Sequence, residues 1–219
     1  KTYLIKLTGV TPLLLHAHSL KWLDVMKEWL KAPENKERSV AGDDRTPAWR
    51  WIGTVYHDGN VLGVPSDNLM TAIREGGTKI LTGKGQQTFK RQSQSGLVVD
   101  QLMWPILVAG GVTVDYQAIA PLLQCEDFKI HEAEVAKLGF ELFLKPAKIG
   151  RSKHVRVRAR FNDWSIAGTI TVLDETITEK VLPKILDSAG RYCGIGDWRP
   201  SSPKSPGPWG KFTAEIKEA

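Results

Sequence analysis

Three arginines at alternate positions, Arg156, Arg158 and Arg160 in "KHVRVRARF", are the residues of this chain best matched to a defined chemistry. In an extended strand alternate side chains share a face, so the guanidiniums stand in one line at about 6–7 Å spacing, with Val155, Val157, Ala159 and Phe161 opposite. Like charges so placed repel, and a neighbouring strand ordinarily relieves them with acids. The hairpin partner expected from the sequence, "SIAGTITVLD", offers Ser165, Thr169 and Thr171 instead. Hydroxyls donate to phosphate oxygens but do not neutralise arginine, so the strand suits a phosphodiester backbone. The alternative is a solvated strand whose charges protect a sheet edge. The adjoining "KPAKIGRSK" adds Lys148, Arg151 and Lys153, and no acid occurs between Leu142 and Asn162.

A second acid-free stretch, "GGTKILTGKGQQTFKRQSQSG", carries Lys84, Lys90 and Arg91 around Phe89. Glycines, amides and cations about one aromatic ring describe a loop that orders on a nucleic-acid strand, Phe89 stacking on a base. A merely solvated loop has the same composition. The "TGKG" within it is not a phosphate-binding P-loop, because Gly85 stands where Ser or Thr must follow Lys84. A third segment, "GRYCGIGDWRPSSPKSPGPWGKF", packs glycines, prolines and cations just before the last apolar alternation. Its prolines exclude helix and central strand. Arg199 and Lys204 are its candidate phosphate contacts, and Trp198 and Trp209, with Trp164, lie in turns beside cations and are candidates for base stacking.

Catalytic signals are sparse. No nucleophile-elbow, zinc-helix or paired Cys-x-x-Cys pattern is present. His16 and His18 form an H-x-H without an evident third ligand. Asp43 and Asp44 in "AGDDRTP" have the chemistry of a phosphodiester-cleaving acid or a metal ligand, though adjacent acids in a polar loop are more often solvated or capping a turn. Cys125 and Cys193 match no zinc spacing and no secreted disulfide framework, which points to a reducing cytoplasm. Nothing in the chain calls for a cofactor.

The elements that must position these residues come from a chain of 219 residues, 42% hydrophobic and 25% charged, with a net charge of +6. That composition fits one large domain with a substantial core, and the charge favours a polyanionic partner. No apolar run approaches the ~18 residues of a membrane span. "TYLIKLTGV" alternates as a strand. "SLKWLDVMKEWLKAP" is a helix stopped by Pro33, and "PSDNLMTAIREGG" a helix with Ser66 as N-cap and Gly76 at its C-terminus. "GLVVDQLMWPILVAGGVTVD" reads as strands about a Gly-Gly turn, and "YQAIAPLLQ" and "FKIHEAEVAKLG" as short helices. "FELFLKPAK", "KHVRVRARF" and "SIAGTITVLD" are strands. "TITEKVLPKILDSAGRY" is a helix that Pro183 starts late or kinks, and "GKFTAEIKE" closes as a strand. The order strand, helix, strand, strand, helix, strand is the plan of the α+β ferredoxin-like, or RRM-like, fold. Residues 1–219 then form one domain, with insertions at about 17–56 and 77–135.

Two matches accompany that order. "VLGVPSDNLMTAIREG" resembles the strand, proline, small-polar turn and arginine-ended helix of RAMP proteins, the repeat-associated RNA-binding superfamily of CRISPR systems. "GIGDWRPSSPKSPGPWGKF" resembles their C-terminal glycine-rich loop, and "LTGVTPLLLH" the first strand of the backbone subunits that polymerise along guide RNA. The chain is also similar to phage proteins with a "GDDRTPAWRW" segment and the same C-terminal loop, which implies a standalone single-strand binder. The resemblance implies backbone contacts from Gly194, Gly196, Arg199, Gly207 and Gly210 and from the insertion around Lys84 to Arg91. The resulting expectation is a protein that binds single-stranded DNA or RNA through phosphates with little sequence specificity, as a homo-oligomer or filament and without a membrane. The rivals are an endoribonuclease of the same superfamily using His16, His57 or Asp44, and a protein-only scaffold subunit.

Overall fold

The alternation of Tyr3, Ile5 and Leu7 becomes strand β1 (Thr2–Gly9), with all three side chains buried. This structure, a computed structural model, describes residues 1–149 and 152–219, so Arg151 of the expected basic loop lies outside the described residues. β1 occupies the centre of an antiparallel sheet between β10 (Ser165–Val172) and β11 (Phe212–Glu218). Beyond β10 the sheet continues through β4 (Leu97–Val99) and, farther along the strand, β6 (Leu107–Val108) with β7 (Val112–Thr113). Gly110 and Gly111 make the turn between those last two, both with positive φ.

Against the apolar face of this sheet lie α2 (Ser66–Gly77) and α5 (Leu182–Ser188). α2 buries Leu69, Ala72 and Ile73. α5 starts with Pro183 near its N-terminus, the late start expected from that proline. In chain order β1, α2, β4, β10, α5 and β11 fit the strand-helix-strand-strand-helix-strand plan of an RRM-like α+β core. Ser66 opens α2 rather than capping it; the N-cap is Pro65 at the end of β3 (Gly63–Pro65), which pairs with β5 (Met103–Pro105). The buried Trp104 indole of β5 lies on Gly168 of β10, where any Cβ would collide with the ring.

The hairpin of β8 (Glu141–Ile149) and β9 (Ser152–Phe161), joined by β2 (Leu13–Leu14) on the far side of β9, forms a separate sheet. This corrects the strand pairing expected from sequence. β9 and β10 are consecutive, yet they enter different sheets, because Ile166 and Ile170 of β10 complete the core face of β1. The corner is held by Trp164, which is buried and donates its Nε1 proton to Thr11 O at 2.9 Å. Trp164 is therefore a core residue and offers no ring to a base.

The remaining helices brace this second sheet and its flanks. α4 (Phe128–Lys137) places fully buried His131 to accept a hydrogen bond at Nδ1 from Trp51 Nε1, 3.0 Å. Trp51 belongs to a 3-10 turn, Ala48–Thr54, in which Ala48, Trp49, Trp51 and Ile52 are buried and Arg50 points outward. α1 (Leu20–Lys31), capped by Ser19, packs across that turn, with Trp22 Nε1 donating to Arg50 O at 3.2 Å. The stretch expected as an unstructured basic loop is partly ordered: a tight turn returns on itself from Ile80 to Phe89 and leads into α3 (Lys90–Ser95). Phe89 is buried in that connection, which removes it as a stacking ring, because its side chain joins the hydrophobic core.

Candidate nucleic-acid interface

The register of β8 against β9 sets the chemistry of the site. Glu141 lies opposite Arg160, Phe143 opposite Arg158 and Lys145 opposite Arg156. As the alternation predicts, Val157, Ala159 and Phe161 are buried on one face and the arginines share the other. Lys148 and Lys153 face each other on the Val157 side of the hairpin, at the end far from Glu141 and Arg160, and both are exposed. They therefore project to the opposite side from the arginine stripe.

The stripe is not free of acids, in contrast to the expectation drawn from β10. Arg160 Nε donates to Glu141 at 2.6 Å, and its guanidinium lies 4.6 Å from the Phe143 ring. Arg158 is 5% exposed; its Nε donates to Asp197 Oδ2 at 2.8 Å and its Nη1 to Val157 O at 2.9 Å. Arg156 Nη1 donates to Asp44 Oδ1 at 2.8 Å. Asp44 and Asp197 come from outside the sheet. Asp44 arrives on the segment before the 3-10 turn, which adds backbone bonds Val155 N to Gly42 O (2.8 Å) and Asp44 N to Val155 O (3.0 Å) along β9. Asp197 arrives on the glycine-rich loop.

That loop is folded down, not left open. Ile195 N bonds Gly210 O, Gly210 N bonds Pro12 O, and Asp197 N bonds Leu14 O, all within 3.0 Å. A Cβ at Gly194 would strike Pro200, at Gly196 the carbonyl of Leu14, at Gly207 that of Trp198, and at Gly210 that of Ile195. The close approach these glycines permit is thus internal. Gly196 and Gly210 also hold φ of 81° and 68°, the left-handed region that only glycine enters without strain. The loop's own packing accounts for these four glycines without a ligand. Their role is to seat the loop so that Asp197 and Trp198 sit on the arginine stripe.

Trp198 itself is held at φ 49°, the one non-glycine residue with positive φ among the described residues. Lys145 Nζ is 3.9 Å from its ring centroid and the Arg158 guanidinium 5.4 Å, so the half-buried indole is already engaged by cations. Trp209 packs on Phe143 with centroids 5.1 Å apart. Both rings shape the site and are poorly placed to stack on a base. Arg199 donates to Ser201 and lies 3.8 Å from Glu75, while Lys204 is exposed at the loop tip. Lys84 sits exposed at the tip of the 80–89 turn, and Lys90 and Arg91 are exposed on α3.

A cleft of about 250 Å³ opens between β9, the 3-10 turn and the start of α1. His16, His18, Asp44, Arg50, Arg156 and Arg158 line it together with apolar groups from α1. Asp44 is the hub: Arg156 at 2.8 Å, Arg50 at 3.3 Å and Arg158 at 3.6 Å converge on its two oxygens. His16 Nδ1 lies 3.5 Å from Asp197 Oδ2. Burial, reinforced by the Arg158 guanidinium, holds the His16 imidazole below the ordinary histidine range, and Asp197 offsets this only in part. Asp43 is committed to Arg45, whose hydrogen bonds push its carboxyl below the usual range. Among the described residues no three His, Cys, Asp or Glu side chains converge as a metal site. His57 stacks on Tyr116 at 3.7 Å, outside the cleft lining. Cys193 is buried with its thiol pushed up to about 11 by desolvation, which makes it unreactive.

No family model matches this sequence, and no curated protein sequence matches it. Among solved structures the chain is similar to the crystal structure of Cmr6 from Pyrococcus furiosus, at 10% identity and a TM-score of 0.38, with 98% of each chain covered.

Around the stripe and cleft, Arg50, Lys145, Arg156, Arg158 and Arg160 face the carboxylates Asp44, Asp197 and Glu141. Cations are in excess, and a guanidinium has five N–H donors of which each arginine here uses only some. Surplus positive charge and unused, pre-oriented donors are the features that suit a site to an oxyanion. Sequence reasoning found the arginines and Asp44, but missed Arg50 and Asp197 as members of the same cluster. Asp197 is the sole acid in the cation-rich segment from Gly190 to Phe212, but nothing in that segment indicates that its partner is Arg158, 39 residues earlier. Among the described residues no helix is long and apolar enough to cross a membrane.

Proposed function

We propose that this protein binds single-stranded nucleic acid through its phosphate backbone, with little sequence specificity, in the manner of RAMP-type proteins that assemble along a strand. The observation that supports this most is the convergence of Arg50, Arg156 and Arg158 on Asp44 in an open cleft. A buried carboxylate there orients three guanidiniums without cancelling their charge. Phosphates entering the cleft meet donors already in place and the N-terminus of α1, which favours negative charge. Lys145 and Arg160 extend the positive track along the hairpin. Cations reading phosphates distinguish no base, hence the low specificity.

Fluorescence anisotropy with labelled single-stranded DNA and RNA of equal length tests this reading. Affinity falls steeply with salt, because each neutralised phosphate releases counterions. Mass measurement of the complex on strands of increasing length reports whether copies add along the strand. Absence of binding to both oligonucleotides at about 50 mM salt, a concentration at which phosphate contacts are strong, overturns the reading and leaves a protein-only scaffold.

RNA cleavage has one observation in its favour: His16 is held neutral in the same cleft, within reach of Asp197 and beside Arg158. A neutral imidazole accepts a proton from a 2′-hydroxyl while arginine stabilises the phosphorane charge. Incubation with end-labelled RNA, with and without Mg²⁺, and with His16→Ala as control, decides between cleavage and binding alone.

A further inference from the structure

Of the chain's eighteen tyrosine, phenylalanine and tryptophan residues, one is exposed: Tyr192, at 58%. It is absent from the set of rings for which stacking was expected. α5 does not stop at Ser188 but widens into a π-helical turn, Ala189–Cys193, closed by the bond from Gly194 N to Ala189 O at 2.8 Å. That turn has no freedom to be elsewhere. Gly190 lies against the backbone of Phe212 in β11, and Gly76 of α2 against Ile185 O and Ala189, so a side chain at either glycine would collide with main chain. Within this clamped turn Ala189, Gly190 and Cys193 are buried, whereas Arg191 and Tyr192 project into solvent. The clamped π-turn fixes where this ring stands, and its face is open to a partner.

Two exposed cations, Lys79 and Arg191, flank the ring, with Asp187 paired to the second. Lys79 Nζ is 5.9 Å from the Tyr192 ring centroid, at the outer limit of a cation–π contact, so the ring is attended by a cation without being capped by it. Arg191 is exposed, with only its Nε engaged, by Asp187 at 2.8 Å. At the adjoining Cys193 the negative field of Glu75 outweighs that of either Lys79 or Arg199, so the cations available to a ligand here are the exposed Lys79 and Arg191.

We infer that Tyr192 is a stacking platform for an unpaired base of a bound single strand, with Lys79 and Arg191 holding the flanking phosphates. This rests on the proposed nucleic-acid binding and adds a residue to it. A ring supplies affinity without sequence preference, because every base offers a π-face, and it selects single strands over duplex, whose bases are already stacked.

The test uses the full chain and a single-stranded oligonucleotide carrying 2-aminopurine. Wild-type protein quenches the probe, and Tyr192→Ala removes the quench and weakens binding roughly 5- to 100-fold, the range for loss of one base–aromatic stack. Tyr192→Trp retains both signals. The side chain is exposed, so the variants keep the wild-type melting temperature. Wild-type binding with unchanged affinity and quench in Tyr192→Ala overturns the platform alone. Absence of wild-type binding overturns the parent reading and the platform with it. A Tyr192→Ala protein that binds normally but loses a self-association seen in wild type assigns the ring to a protein contact, and also overturns the proposal.

Discussion

Asp44 Oδ1 accepts a hydrogen bond from Arg156 Nη1 at 2.8 Å, across 112 residues of sequence. Arg50 and Arg158 approach the same carboxylate, which is 6% exposed. One acid thereby ties the segment before the 3-10 turn to the arginine strand.

Asp44→Asn should destabilise the fold by roughly 1–2 kcal/mol, since it loses charge-assisted hydrogen bonds to the partly exposed Arg156 and Arg50 while Asp197 still compensates buried Arg158. Urea unfolding measures this. Affinity for single-stranded oligonucleotides should rise in the same variant, because the carboxylate that repels phosphate is gone. A loss of affinity in folded Asp44→Asn would show instead that its orienting of the three guanidiniums outweighs its repulsion of phosphate.

Arg156→Ala and Lys145→Ala should weaken binding evenly across sequences, each lowering the salt-dependence slope by about 1. Lys145→Ala changes stability little, while Arg156→Ala costs about 1–2 kcal/mol because buried Asp44 loses its shortest bond but keeps Arg50 and Arg158. Arg158→Ala behaves differently. It strands Asp197 and removes a buried ion pair, with an expected loss of about 3 kcal/mol. Replacing the three strand arginines together would therefore confuse unfolding with lost binding, whereas the Arg156 and Lys145 variants separate them.

Gly210→Ala and Gly83→Ala contrast a seated loop with a free one. Both glycines have positive φ, at 68° and 82°. At Gly83 nothing lies within 4 Å of the added methyl, so the change should cost about 1 kcal/mol. At Gly210 the methyl meets the carbonyl of Ile195, and the loss should exceed that by ~2 kcal/mol or more. Thermal melts of the two variants side by side check the ordering, and equal losses would mean that the loop is not clamped.

The pH dependence of stability should carry a His16 component. Its folded-state affinity for protons is lowered by burial and by Arg158, so the unfolded chain binds the proton more tightly. Stability from this group is complete above the unfolded value of 6.5 and is lost as pH falls below it toward the lowered folded value. His16→Gln should flatten the decline between about pH 7 and 5 relative to wild type. His57, also lowered by burial, contributes in the same direction and remains in the variant, so the difference between the two proteins isolates His16.

The sequence by itself determined the periodicities and therefore the elements. Alternation in "TYLIKLTGV" and "KHVRVRARF", the apolar face of "NLMTAI" and the prolines at 33 and 183 are local constraints, and local constraints are legible residue by residue. It also determined that Arg156, Arg158 and Arg160 share a face, since that follows from the pleat alone. What only the tertiary structure decided was which groups meet that face. Asp44 and Asp197 reach it from distant segments, and the glycines of the C-terminal loop serve the loop's own packing. Trp198 and Phe89, equally aromatic in sequence to Tyr192, are drawn into contacts or core while Tyr192 is turned outward. Burial and charge pairing depend on contacts between segments far apart in the chain, and composition within one segment carries no information about its partner in space.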